Sequence, residues 1–326
     1  MTPIETATDT GIRSGPPALA PPASVFVTGA SGFIAKHVVL QLLDAGYTVT
    51  GSVRSAARAD EVRRALLPEL ASTEGLDDRL RFVSLDLGHD TGWREAMAGA
   101  DALVHTASPN PPTMPANEDE LIRPAVDGTL RALRAARVAG ISRVVMTSSS
   151  VAVVYCNTRP GRDAHDEDDW SDLSLPFATA YVKSKTLAER AAWRFVVDEA
   201  PDMRLTAINP VLVLGRPLDD RYGMSVGVIE RLLRGRDPLL PDIGVGIVDV
   251  ADVARMHVAA LENEAAAGMR FLAIDRYMRL VDLCRILKAA YPGRRISTTV
   301  APHLVVRLIA LFDGQVRSIV PLLGRD

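Results

Sequence analysis

The chain predicts a doubly wound α/β fold: a parallel sheet with helices on both faces, followed by a smaller C-terminal lobe. Three observations carry this. From Ser24 to Pro210, short β-prone runs alternate with helical stretches, the rhythm of parallel α/β folds. The first run breaks at Thr28-Gly29-Ala30-Ser31-Gly32, and an apolar-periodic helix starts at once. After Pro210 the rhythm gives way to a helix, a Pro/Gly-rich turn region and further isolated helices.

The elements follow in order. Residues 1–23, rich in Pro, Ala, Thr and Gly without apolar period, are expected to form a disordered extension. They carry no basic start and no apolar stretch of the secretory kind. Val25–Val27 is the first strand. Phe33–Ala45 is a helix with Ile34, Val38, Leu42 and Leu43 on one face, closed by Gly46. Strands are expected at Tyr47–Val53, Leu80–Leu85, Ala102–His105, Arg143–Thr147 and Arg204–Ile208. Helices are expected at Ala59–Leu70, Gly92–Ala98, Glu118–Ala139 and Ala178–Glu199. Beyond Pro210, Arg216–Arg236 contains a helix, and Val250–Glu262, Leu280–Tyr291 and His303–Phe312 are further helices, with a short strand at Phe271–Ile274. Residues 24–210 are thus read as one domain and 211–326 mainly as a substrate-covering lobe, with 249–262 returning to the first domain.

The 326 residues bear a net charge of −3, which excludes a generally basic nucleic-acid binder and an acidic disordered chain. No uncharged apolar run reaches the roughly 18 residues of a membrane span. Cys156 and Cys284 stand far apart, outside any zinc-ligand spacing, and suit a reducing cytoplasm. The six histidines do not cluster, so no metal site is expected.

The strand–turn–helix context makes the glycine run a phosphate site of the Rossmann type. Gly29 permits the tight turn, Gly32 lets the backbone approach a pyrophosphate, and Ala35 lets helix and strand pack closely. The second strand ends Gly51-Ser52-Val53-Arg54-Ser55, with no carboxylate before Asp60. An acidic residue there would serve NAD, whereas Arg54 suits the 2′-phosphate of NADP(H). Asp86 falls where adenine would lie, with a turn aspartate as the equal alternative. Thr106, after His105, would pass close to the cofactor; His105 itself reads as a buried structural residue.

Tyr181 and Lys185 lie four apart on one helix face. With six tyrosines and only four lysines (36, 183, 185 and 288), the chance expectation for Tyr-x-x-x-Lys is roughly 0.07. Carbonyl reduction needs a proton for the developing alkoxide, and an ammonium beside a phenol lowers its pKa. Thr147-Ser148-Ser149-Ser150, at the end of the fifth strand, offers three candidate hydroxyls to polarise the carbonyl, or to cap a turn.

From Val25 onward the chain resembles the extended short-chain dehydrogenase/reductase superfamily, in its dihydroflavonol reductase, cinnamoyl-CoA reductase and yeast-type aldehyde (methylglyoxal) reductase branch. The resemblance runs through Val27–Ala35, Gly51–Ser55, Val104–Pro109, Thr147–Ser149, Asp166–Asp172, Tyr181–Trp193 and Ile208–Gly215. It implies that Ser149 is the catalytic serine beside Tyr181 and Lys185, with Ser150 and Val154 bordering the substrate. It further implies pyrophosphate contacts from Gly29, Ala30, Ser31, Gly32, Phe33 and Ile34, 2′-phosphate contacts from Arg54 and Arg58, and adenine contacts from Asp86 and Leu87. Pro210 and Val211 would meet the nicotinamide, and Ser225 would touch the cofactor.

The implied activity is NADPH-dependent reduction of ketone or aldehyde carbonyls, by a monomer or homodimer whose partner is a small molecule, with no membrane or nucleic acid. The competing readings are a hydroxysteroid dehydrogenase or nucleotide-sugar epimerase/dehydratase on the same scaffold, and a non-enzymatic NADP(H) sensor. Val154 replaces an asparagine of the dihydroflavonol reductases, which argues against a flavonoid. Leu218, Met224, Ile229 and Leu233 suggest an apolar pocket wall. The chain reaches Asp326 sooner than the resemblance implies, so a closing helix of the lobe is expected to be missing or altered.

Overall fold

The computed structural model describes residues 18–109, 115, 117–175, 177–312, 316, 320, 323 and 324. Seven parallel strands form the central sheet: β1 Ser24–Thr28, β2 Thr48–Val53, β3 Leu80–Ser84, β4 Ala102–His105, β5 Arg143–Thr147, β6 Arg204–Pro210 and β9 Arg270–Ala273. Their spatial order is β3-β2-β1-β4-β5-β6-β9, so the winding reverses between β1 and β4. In such sheets ligands bind outside the carboxyl ends of the strands at that reversal.

Alternation along β1 shows how the two layers are filled. Val25 and Val27 face one apolar cluster and Phe26 faces the other. The first cluster takes residues from α1 Phe33–Asp44, α2 Ala56–Leu66, the short α3 Leu76–Arg79 and α8 Val250–Glu262. The second takes them from α4 Trp93–Ala96 and from α5 Asp119–Val138 and α6 Ala180–Asp198, which pack side by side within the chain. Helix α2 starts three residues before the expected Ala59 because Ala56 and Ala57, good helix formers, directly follow the extended Ser55; it ends before Pro68.

The expected extension also meets structure before Ser24. Residues 1–17 lie outside those described, but the Leu19 N–H donates to Leu261 O at 3.2 Å, and the Tyr47 hydroxyl donates to Leu19 O at 3.2 Å. The Tyr47 ring, wholly buried on α1, gives those last residues an anchor.

The part after Pro210 contributes more sheet than the sequence reading gave it. Strand β9 pairs with β6 through Ala207–Pro210. A second, three-stranded sheet joins β7 Leu212–Leu214, β8 Gly244–Asp249 and β10 Arg276–Arg279. The glycines of Gly244-Val245-Gly246 place β8 in a stretch that reads as turn from composition alone. Helices α7 Met224–Leu233 and α9 Leu280–Ala290 close a third small core around Leu232, Leu240, Leu280 and Cys284, and α10 His303–Ile309 follows. Among the described residues, no helix is long and apolar enough to cross a membrane.

Candidate active site

Because the sheet is parallel, every loop that matters leaves the same edge. At β1 the hydroxyl of buried Thr28 accepts the N–H groups of Thr106 and Ala107 at 3.1 and 3.0 Å, locking the ends of β1 and β4 together. Its proton therefore points to His105 Nδ1, 2.9 Å away, which leaves the ring proton on Nε2. His105 Nε2 is buried without a partner among the described residues. Burial, with the Lys185 charge adding to it, lowers the His105 pKa to about 4, so the ring is neutral.

The glycine loop is a cradle that side chains would fill. Gly29 has φ +64°, and a Cβ there would sit 3.0 Å from Ala107 Cα. The Gly29 N–H donates to Ser52 Oγ at 3.0 Å and Ala30 N–H to Ser52 O at 2.9 Å. Gly32 caps α1 without a side-chain bond, and the first turn holds no acidic residue. The early N–H groups of Phe33 and Ile34 thus have no helical acceptor, and Lys36 N–H is the first to turn back, onto Gly32 O at 3.0 Å. Ser31 lies in the same turn, half-buried.

At the end of β2, Arg54 is exposed and unengaged among the described residues, while Arg58 binds Glu61 at 2.7 Å. Asp86 follows β3 and is exposed; its Oδ1 accepts the Gly88 N–H at 2.7 Å, the turn role weighed from sequence. Leu87 packs on Gly128 of α5.

The residues after β5 and at the start of α6 converge. Thr179 caps α6 by accepting the Val182 N–H at 3.4 Å. That aims the first turns, with Tyr181 and Lys185, at the end of β5. The Ser149 hydroxyl lies close enough to the Tyr181 phenol to lower its pKa, and Lys185 Nζ lies 5.9 Å from the Tyr181 ring centroid. Burial raises the phenol pKa, against which the Ser149 hydroxyl works as the smaller effect. Burial also lowers Lys185 to about 8. The net direction for the phenol is therefore upward, opposite to the lowered pKa expected from the sequence, because burial acts against the charged form of both groups.

A buried network missed by sequence reasoning supports this edge. Glu189, two turns past Tyr181, is 0% exposed. It pairs with Arg270 of β9 at 2.6 Å, accepts Asn209 Nδ2 at 2.7 Å and Trp193 Nε1 at 3.2 Å, and takes the Ser148 hydroxyl. Asn209 Nδ2 also donates to Ser149 O at 3.1 Å, so β5, β6, β9 and α6 meet behind the serine. Glu189 could have been found from its face, four residues past Lys185. Arg270 could not, because only the fold carries it there. Thr147 is held likewise: its hydroxyl donates to His257 Nε2 at 2.7 Å, while His257 Nδ1 gives its proton to Val253 O.

Pro210 ends β6 beside the serine strand and Val211 follows it, its N–H donating to Ala273 O at 3.2 Å. Ser225 sits half-buried in the first turn of α7. The expected apolar wall is dispersed: Leu218 packs on the central core, Ile229 and Leu233 pack on the lobe core, and Met224 is exposed. Their helical spacing reflects ordinary core packing. Val154, by contrast, is exposed beside Tyr155, whose ring lies 6.1 Å from Phe177.

Residues 25–272 match the model of the NAD dependent epimerase/dehydratase family. The chain belongs to that family. It is 37% identical over 275 residues to tetraketide alpha-pyrone reductase 1 of Arabidopsis thaliana, covering 82% of this chain and 81% of that one. It is 35% identical over 276 residues to cinnamoyl-CoA reductase CAD2 of Medicago truncatula, covering 83% and 82%. Its fold matches yeast methylglyoxal/isovaleraldehyde reductase Gre2 complexed with NADPH, with a TM-score of 0.72, 28% identity and 86% of each chain covered. The residues present fit a family dinucleotide: a glycine cradle, helix N–H groups without a helical acceptor, His105 Nε2 without a partner among the described residues, and Arg54 at the end of β2 with no acidic residue beside it.

Proposed function

We propose that the protein is an NADPH-dependent reductase of ketone and aldehyde carbonyls, working reversibly on a hydrophobic small molecule. The observation that carries this is the meeting of Ser149, Tyr181 and Lys185 at the sheet edge that also holds the glycine cradle. The related reductases named above support it.

NADPH, when bound, supplies the hydride. The glycine loop from Gly29 to Ile34 would hold its pyrophosphate, Arg54 and Arg58 its 2′-phosphate, Asp86, Leu87 and Thr106 its adenosine side, and Pro210, Val211 and Ser225 its nicotinamide half. The Ser149 hydroxyl orients the carbonyl oxygen and stabilises its growing charge. Tyr181 gives its proton to that oxygen; the raised phenol pKa keeps the proton in place until transfer. Lys185, near neutrality in its proton affinity, steadies the phenolate left behind and binds ribose hydroxyls.

On this reading residues 24–210 carry the reacting groups and most of the cofactor contacts, and the segment from 211, apart from α8 and β9, mainly covers the substrate. The two cysteines, both unpaired, suit a reducing cytoplasm, and the enzyme acts there as a monomer or homodimer.

The test is NADPH oxidation against aldehydes, aryl ketones and keto-esters, run beside NADH. Turnover with an NADPH preference is expected, and Tyr181→Phe should lose about 10²–10⁴-fold of the rate. A variant keeping most of that rate would overturn the assignment.

A further inference from the structure

The loop between β7 and α7 reaches back across the domain and is fastened at several points. Lys36 of α1, almost wholly buried, pairs with Asp219, and its Nζ also donates to Arg221 O at 3.2 Å. His37 Nε2 donates to Arg216 O at 3.0 Å, and the Arg216 guanidinium grips both oxygens of Glu69 at 2.7 and 3.0 Å. Asp219 Oδ1 accepts the Arg221 N–H at 2.8 Å. Both main-chain polar groups of Arg221 are therefore engaged, and its side chain extends onto α2. There Arg221 Nε lies 2.9 Å from Glu61 Oε2, the same oxygen that Arg58 Nη1 holds at 2.7 Å.

Two guanidinium groups thus share one carboxylate, which leaves one positive charge uncompensated. Arg54, unengaged among the described residues at the end of β2 and four residues before Arg58, adds a second. Arg54, Arg58 and Arg221 outnumber the two carboxylates at the start of α2, Asp60 and Glu61, so the patch carries +1, a charge that attracts a phosphate monoester of about −1.5 to −2.

We propose that Arg221 is a third ligand for the 2′-phosphate of NADPH, and that Glu61 is the counter-charge holding Arg58 and Arg221 together until that phosphate arrives. This rests on the reading of Arg54 and Arg58 as 2′-phosphate ligands. It also means that cofactor choice is made in part by a loop leading directly into α7 of the C-terminal lobe.

The probes are adenosine 2′,5′-bisphosphate and adenosine 5′-monophosphate, titrated calorimetrically into the full chain; they report binding without turnover. Arg221→Ala is expected to weaken the bisphosphate about tenfold, the worth of one charge-assisted hydrogen bond, and the monophosphate by less than about twofold. Glu61→Gln is expected to tighten the bisphosphate roughly threefold, because a nearby negative charge is gone. Thermal melts confirm that each variant is folded, and Arg221→Gln repeats the test with more of the side chain kept.

Equal weakening of both probes by Arg221→Ala, or weakening of neither, overturns the role of Arg221. Weaker bisphosphate binding in Glu61→Gln overturns the counter-charge. Arg54→Ala and Arg58→Ala separate the two levels. If they leave discrimination between the probes intact, the underlying site reading fails. If they abolish it while Arg221→Ala does not, only the present proposal fails.

Discussion

Replacing Lys185 by Met, which keeps the length of the side chain and removes its charge, should stabilise the protein at neutral pH while abolishing its chemistry. Burial brings the Lys185 pKa from 10.5 down to about 8, a gap corresponding to about 3 kcal/mol. Between pH 8 and 10.5 the unfolded chain keeps a proton that the folded chain has released. The unfolded state then binds more protons, and wild-type stability rises with pH across that window. Below pH 8 the cost of burying the ammonium is present in full, and above 10.5 it is gone.

Lys185→Met should therefore exceed wild type by up to about 3 kcal/mol at pH 7, a gain in Tm of roughly 5 °C. The two should converge as pH climbs through the window. Calorimetric melts of both proteins without cofactor, at half-unit steps from pH 6.5 to 10.5, measure the difference directly. Groups that do not feel the Lys185 charge cancel in the comparison, and His105, which does feel it, titrates near 4, below the window. Parallel curves, or a variant less stable at pH 7 with no convergence at high pH, would refute the argument.

Two further outcomes follow from packing. Glu189→Ala strands the buried Arg270 and should cost about 3–5 kcal/mol in urea unfolding, whereas Glu189→Met with Arg270→Met should cost far less than the two single changes together. Gly51→Ala puts a Cβ 2.8 Å from Ala30 Cβ and 3.0 Å from the Phe82 ring. It should cost about 1–3 kcal/mol and weaken dinucleotide binding by pushing the glycine loop, with Ala30→Gly restoring part of both.

What could be read from the sequence was what local physics decides. The glycine turn needs Gly29 because φ is positive there, and the alternation of Val25, Phe26 and Val27 needs only the pleat. Strands β4 and β5 and helix α8 fell at their expected bounds for the same reason. Tyr181 and Lys185 were visible because a helix brings i and i+4 together. What escaped depends on tertiary proximity. Arg270 reaches Glu189 across 81 residues, and Arg221 reaches Glu61 across 160. The upward direction of the Tyr181 pKa escaped for the same cause, since spacing reveals a charged neighbour but not how dry the pocket is. The β7–β8–β10 sheet escaped because its middle strand is glycine-rich and its partners lie far away in sequence.

The placement of β9 bears on how the chain is made. Synthesis delivers β1 to β6 in order, so six strands can assemble while the ribosome is still working toward Arg270. Until β9 docks, the outer side of β6 offers unpaired N–H and C=O groups to any passing strand, and Glu189 is buried without its cation. The nascent domain therefore has a vulnerable interval of about sixty residues between the end of β6 and the strand that covers it. A chain interrupted within that interval would present a sticky sheet edge in place of a usable nucleotide-binding domain, which makes late translational arrest a route to aggregation rather than to partial activity.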